Sequence, residues 1–260
     1  MNDSFSRRDV DMRILICTLV VLFATCSARS QTIEIDDFHD GTDDGWSHSG
    51  NLGLGAPGKW DASSGAYNLS SSGPISPAGE GMNSIWSKSS EPIFNHGFLR
   101  AKVRANTAAS EPGLGMRGTF DTGGYFFTGS PLTNEFSIGE LNLNGDSGIL
   151  ARWHDPSVSF NHGEDWWFEA GAVGAQLSFR FWRDGDAEPA EPQLTVTDDS
   201  LATGQFGVSA SVSNSSPTPE LLDVTFDDFT FRVPEPSAFC LFGLAFFGLI
   251  LQRKRSVKGR

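Results

Sequence analysis

The sequence predicts an all-β fold, an antiparallel sandwich of two sheets, and three observations carry that prediction. Apolar and polar residues alternate with a period of two in one segment after another, and no stretch sustains a helical period. Turn-forming clusters separate these segments: Gly123-Gly124, Asn144-Gly145-Asp146, Asp184-Gly185-Asp186 and Asp198-Asp199. All seven tryptophans of the 260-residue chain fall between Trp46 and Trp182, which makes the strand-bearing region 32–232 one domain rather than two.

In chain order, the first element is a targeting segment. Arg13 precedes the apolar run Ile14 to Phe23, and the small residues Ala24-Thr25-Cys26-Ser27-Ala28 come next. This is the pattern of a secretory signal peptide over 1–28, with cleavage after Ala28. Three aspartates lie before Met12, where such a signal wants positive charge, so Met12-Arg13-Ile14 makes the better start. Asp9 and Asp11 argue against twin-arginine export from Arg7-Arg8, and Thr25 argues against lipidation of Cys26. Cys17 and Cys26 lie in the signal and Cys240 near the other end, so the mature domain has no thiol for a disulfide, zinc site or nucleophile. Its stability must come from a hydrophobic core.

Within the domain, Leu99, Ala101, Val103 and Ala105 alternate with Arg100, Lys102 and Arg104, a half-buried strand with a basic outer face. Leu141 and Leu143 continue a strand begun at Phe136 to Ile138. Leu177, Phe179 and Phe181 alternate with Gln176, Ser178 and Arg180. Leu194 with Val196, and Phe206, Val208, Ala210 and Val212, repeat the pattern. Near the end, Val224 and Phe226 are apolar at even positions, but Phe229 and Phe231 at odd ones. The face switches inside one strand, which predicts a bulge at Asp227-Asp228.

Segment 31–232 holds 28 acidic and 10 basic residues, a net charge of −18. Such a surface repels nucleic acid and anionic lipid, and it keeps an exported protein soluble.

The last element is a tail over 233–260. Val233-Pro234-Glu235-Pro236-Ser237 precedes the apolar run Ala238 to Leu251, and Arg253, Lys254, Arg255, Lys258 and Arg260 close the chain. The prolines isolate the apolar run from the strand before them. The run predicts a single membrane-spanning helix at 238–251, just short of the ~17-residue lower bound and held with its basic end in the cytoplasm. The three parts in this order resemble the PEP-CTERM sorting signal of Gram-negative bacteria. The resemblance implies an exosortase as processing partner and transient residence in the inner membrane. It also implies removal of the tail near Val233, Pro234, Glu235 and Pro236, and arrival at the cell surface or extracellular matrix. An ordinary permanent anchor is the alternative.

A second resemblance spans most of 33–232. Asp36-Asp37-Phe38 and Asp43-Asp44-Gly45-Trp46 open the domain, and Phe226-Asp227-Asp228-Phe229 closes it. Between them lie Gly97 to Arg104, Asp165-Trp166-Trp167-Phe168-Glu169-Ala170, and Leu177 to Trp182. This order is similar to the concanavalin A-like lectin/glucanase sandwich in its laminin-G-like form. It implies a two-sheet antiparallel jelly-roll with first and last strands adjacent.

Glucanases of that class carry paired carboxylates on one strand, four residues apart. The nearest pair here, Glu135 and Glu140, is five apart, so an unbroken strand puts them on opposite faces. The five histidines lack ligand spacing. Asp40 to Gly45 fails as an EF-hand, with Thr42 and Asn51 at ligand positions, though an acidic turn of another geometry stays open. The resemblance implies calcium (Ca2+) near both termini, with Asp36, Asp37, Asp227 and Asp228 as candidate ligands. Trp182 and Arg180, on the polar face of their strand, and Trp153 are the candidate glycan contacts, because sugar rings stack on flat aromatic faces. The expectation is therefore a non-enzymatic exported β-sandwich that binds or embeds in exopolysaccharide. The alternatives are a glycan-active enzyme of the same class and a structural or protein-adhesive component.

Overall fold

The computed structural model describes residues 31–51, 58–76, 81–86, 96–119, 123–142 and 148–234. The signal segment 1–28 with Met12, and the tail from Glu235 with its expected helix at 238–251, lie outside the described residues. Among the described residues, no helix is long and apolar enough to cross a membrane.

Fifteen strands make up the described chain. The first eight are β1 (Gln31–Asp36), β2 (Trp46–Asn51), β3 (Gly58–Asp61), β4 (Tyr67–Ser71), β5 (Gly81–Trp86), β6 (Gly97–Ala105), β7 (Ser110–Thr119) and β8 (Gly123–Ser130). Then come β9 (Glu135–Asn142), β10 (Gly148–Trp153), β11 (Trp166–Val173), β12 (Gln176–Arg183), β13 (Leu194–Thr197), β14 (Gln205–Val212) and β15 (Asp223–Val233). One sheet runs β13-β12-β11-β6-β15-β4-β3, with β1 also paired to β15. The other runs β10-β9-β8-β7-β14-β5-β2. The first and last strands are thus neighbours, and Thr32–Val233 is one compact unit.

The alternation read from sequence is the physical basis of this layering. Along β6, Leu99, Ala101, Val103 and Ala105 are fully buried while Arg100, Lys102 and Arg104 face outward. Aromatic rings from the two inner faces meet between the sheets. Phe136 of β9 stacks on Phe181 of β12 at 3.6 Å, and Phe206 of β14 lies over Phe231 of β15 at 5.2 Å. Such pairs add specific ring contacts to the burial that drives folding. Gly129 leaves room for this core, because a Cβ there would lie 2.8 Å from the Phe168 ring and 2.9 Å from the Phe160 ring.

The bulge predicted in the last strand is present. Pairing of β15 with β6 shifts register between Asp227 and Thr230, and Asp228 takes the left-handed conformation with φ of 51°. The extra residue turns both Phe226 and Phe229 into the core, three positions apart. Leu141, by contrast, is exposed: it falls on the opposite parity from the buried Phe136 and Ile138. Leu143 lies outside the described residues.

Candidate binding face

The outer face of the first sheet is ordered by strand register. Thr230, Arg100, Glu169 and Arg180 form one row across β15, β6, β11 and β12. The next row is Asp227, Lys102, Trp167 and Trp182. With Arg104 and Arg232, and Lys59 of β3, this face carries six of the ten basic residues of a domain whose net charge is −18.

The rows are held by charge and by aromatic faces. The Trp167 and Trp182 rings lie near-parallel with centroids 6.3 Å apart. The Arg100 guanidinium sits over both, at 4.5 and 4.7 Å, and the Lys102 ammonium is 5.0 Å from Trp167. Cations over indole faces are attracted by the ring quadrupole. Glu169 is only 7% exposed in its side chain and accepts from Arg180 at 2.5 Å and from Arg232 at 3.2 Å. Glu188, from the segment after β12, joins Arg100 at 3.0 Å and Arg180 at 2.8 Å. Lys102 pairs with Asp228 at 3.1 Å. Burial opposes the charge of Lys102, yet Asp228, with Asp184 and Asp227 beyond it, lifts its pKa above the ordinary lysine value.

A depression of about 410 Å³ opens in this face, at the low end of the range for small-molecule sites. Phe98 and Trp167 give it apolar walls, and Thr32 and Thr230 line its rim. Arg100, Arg232, Glu169 and Asp228 supply directed charge, with Arg232 itself stacked over Phe98 at 4.6 Å. The arrangement can hold a small ring against aromatic walls while fixing hydroxyl or carboxylate groups at its edge.

Of the candidate residues from sequence, Arg180, Trp182, Asp227 and Asp228 come together on this face. Trp182 is 6% exposed, with Arg100 across its ring and Arg180 at 5.7 Å. Trp153 lies elsewhere. A register shift between Ile149 and Ala151 on β10 sets it opposite Phe136, and its ring packs against Phe136 and Phe181. Sequence reasoning missed Phe98, Glu169 and Arg232 as parts of the site, although the outward parity of Glu169 beside Trp167 signals it.

The four candidate calcium ligands are engaged with protein groups. Asp36 accepts from the Phe38 amide and from the Trp46 indole N–H, both at 2.8 Å. Burial raises its pKa against those two bonds. Asp37 accepts from the His39 amide, and Asp227 from the amide of Asp228, itself paired with Lys102. Asp40 closes a turn on Thr42. Among the described residues, no three His, Cys, Asp or Glu side chains group as a metal site.

The carboxylates of the second sheet are equally specific in their placement. Pairing of β8 with β9 is unbroken from Gly123↔Asn142 to Ser130↔Glu135. Glu135 and Glu140 therefore lie on opposite faces, the first bonded to Arg152 and the second to Ser200. No described strand of that sheet carries two carboxylates on one face. Asp223 and Asp227 on β15 are four apart, but the Asn68 and Asn106 amides occupy Asp223, and Thr225 stands between the two carboxylates.

The two sheets and their order form a concanavalin A-like antiparallel jelly-roll. The laminarinase catalytic domain from Thermotoga maritima superposes with a TM-score of 0.52 at 11% identity, covering 80% of this chain and 99% of that one. SCLam, a non-specific endo-β-1,3(4)-glucanase, gives 0.52 at 8%, covering 79% and 91%. The carbohydrate-binding module CBM66 from Bacillus subtilis gives 0.43 at 13%, covering 72% and 94%, too loose a fit to bear on function. Identities this low relate the folds alone. No curated protein matches the sequence. Residues 232–255 match the PEP-CTERM protein-sorting motif, so the chain carries an exosortase-directed tail behind its jelly-roll and is marked for export. The match begins at Arg232, a residue of the depression.

Proposed function

We propose that the jelly-roll is a non-catalytic glycan-binding module that lodges the exported, processed protein in exopolysaccharide at the cell surface. The depression walled by Phe98 and Trp167 and floored by Glu169 supports this reading, because it pairs flat apolar faces with rigid, ion-paired hydrogen-bonding groups. The opposed faces of Glu135 and Glu140 weigh against a retaining glycosidase on β9, which needs its carboxyls roughly 5 Å apart in one cleft. Asp223 and Asp227 keep an enzymatic reading as the second choice.

Binding of the mature protein to exopolysaccharide from its own cells tests the first reading, with Trp167→Ala as the site variant. The expected result is retention on the polymer by the parent and loss by the variant, with no reducing sugar released by either. Sustained release of reducing ends, abolished in Asp227→Asn, favours the enzyme. A mature C-terminal peptide ending near Pro234 to Pro236 is the expected mark of processing; one that still carries Leu251 means a retained anchor.

A further inference from the structure

We propose that Arg100 and Arg180 form a carboxylate-binding subsite, closed in this structure by the protein's own Glu188, and that the glycan it serves is acidic, bearing uronate groups. The inference rests on the reading of this face as glycan-binding and goes on to name the ligand's charge.

Two guanidiniums from non-adjacent strands converge on one carboxylate. Arg100 of β6 reaches one Glu188 oxygen at 3.0 Å, and Arg180 of β12 reaches the other at 2.8 Å. Between them in register stands Glu169 of β11. The two carboxylates that touch Arg180 differ in kind. Glu169 is 7% exposed and belongs to the sheet, whereas Glu188 is 39% exposed and comes from a segment without strand structure. Glu169 orients the arginine; Glu188 occupies the place where an external carboxylate fits. Two arginines offering donors to separate oxygens suit a carboxylate, and guanidinium is the residue chemistry for such two-point recognition.

Charge distribution points the same way. Five of the domain's ten basic residues lie on the β6, β12 and β15 part of this face, although the domain as a whole carries −18. At 0.15 M salt the Debye length is about 8 Å, so distant acidic residues are screened while the contact inside the clasp is not.

Glu188 then acts as an internal competitor. Arg180 also donates to the Pro189 carbonyl at 2.9 Å, which holds the backbone of this segment, so the Glu188 side chain is the part that must move. If its two partly exposed pairs together hold it by about fivefold, the clasp is open in roughly one molecule in six and apparent affinity falls to about that fraction. Replacing Glu188 by glutamine removes the competitor and leaves both arginines.

The test is calorimetric titration of the intact mature protein, its Glu188→Gln variant and its Arg100→Gln variant in 0.15 M salt. The probes are oligosaccharides of polygalacturonate and alginate, each beside its methyl ester, with a neutral glucan, dextran sulfate and poly-glutamate as further arms. The expected result is binding of at least one acid and not of its ester. Affinity should rise about fivefold in Glu188→Gln and be lost in Arg100→Gln, with melting temperatures within about 3 °C of the parent for Glu188→Gln. Equal binding of acid and ester, preference for neutral glucan, or no gain in Glu188→Gln overturns the acidic-glycan inference and leaves the glycan-binding reading standing. Binding of dextran sulfate without uronates overturns the carboxylate assignment, and equal binding of poly-glutamate overturns the glycan. No binding of any glycan by any variant overturns the glycan-binding reading itself, and this inference with it.

Discussion

Replacing Glu169 by glutamine is the most informative perturbation of this molecule, because it tests whether the proposed binding face is structurally braced from below. The side chain is 7% exposed and accepts from Arg180, itself 13% exposed, at 2.5 Å. A hydrogen bond to a charged group is worth about 1.5–3 kcal/mol, and removing one buried partner leaves the other charge uncompensated. The second contact, to Arg232 at 3.2 Å, involves a side chain 38% exposed, so solvent screening limits it to below about 1 kcal/mol. Glu188 still partners Arg180 in the variant, which trims the loss. The sum is about 3 kcal/mol, or about 6–12 °C in melting temperature for a domain of this size. Urea unfolding followed by tryptophan fluorescence, with thermal melts alongside, measures it. Glu188→Gln is the control: it touches the same guanidinium from an exposed position and should cost no more than about 1 kcal/mol. Equal losses in the two variants, or a loss below about 1 kcal/mol in Glu169→Gln, would refute burial as the source of the bracing.

Three further outcomes are set by the geometry. Glu111 is partly buried on the outer face of the second sheet; desolvation raises its pKa while the hydroxyls of Ser213, Ser130 and Ser211 oppose the rise. A raised folded-state pKa means stability that is present while the group is protonated and lost as pH climbs through that pKa. Glu111→Gln should therefore stabilise by about 1 kcal/mol at pH 7, with the gain vanishing below about pH 4; an equal gain at both pH values would count against desolvation. Gly171→Ala places a Cβ 2.3 Å from the Ser178 hydroxyl and 2.8 Å from the Phe98 ring, so it should cost about 1–3 kcal/mol in urea unfolding. Ser178→Ala in the same chain should recover part of that loss, and no recovery would place the strain elsewhere. Millimolar calcium should move the melting temperature by less than about 1 °C, since Asp36, Asp37, Asp227 and Asp228 are bonded to protein groups; a rise of several degrees would locate a cation site.

How much of this was legible in the sequence depends on the range of the interactions involved. Alternation along a strand is local, and it correctly predicted the buried sides of β6, β12 and β14, as well as the bulge at Asp227-Asp228. The same local rule placed Trp182 outward, and it does lie on the outer face. Outward was not the same as open, however. Arg100, far away in sequence and two strands away in the sheet, lies across the indole. Trp153 shows the converse: an irregularity on β10, which no turn residue announces, sets it opposite Phe136 and gives its ring to the core. The acidic motifs show how close carboxylates are accommodated. Clustered carboxylates such as Asp36 and Asp37 repel one another unless something neutralises them, which suggests a cation. Asp36 is satisfied instead by the Trp46 indole and the Phe38 amide, and Asp43, in the neighbouring acidic turn, by His48. Short-range hydrogen bonds to the chain itself engage these carboxylates. On the first sheet, neutralisation comes from the strands beside each carboxylate, and only register brings Arg100, Glu169 and Arg180 into line. A clasp made of three residues separated by 69 and 11 positions has no signature along the chain. Its sequence trace is the excess of basic residues at outward positions of β6, visible as Arg100, Lys102 and Arg104 in a domain otherwise poor in positive charge. Basic residues spread evenly would only have offset the domain's acidity. Gathered on one sheet, with Arg100 and Arg180 both reaching Glu188, they give the proposed glycan face its concentrated positive charge.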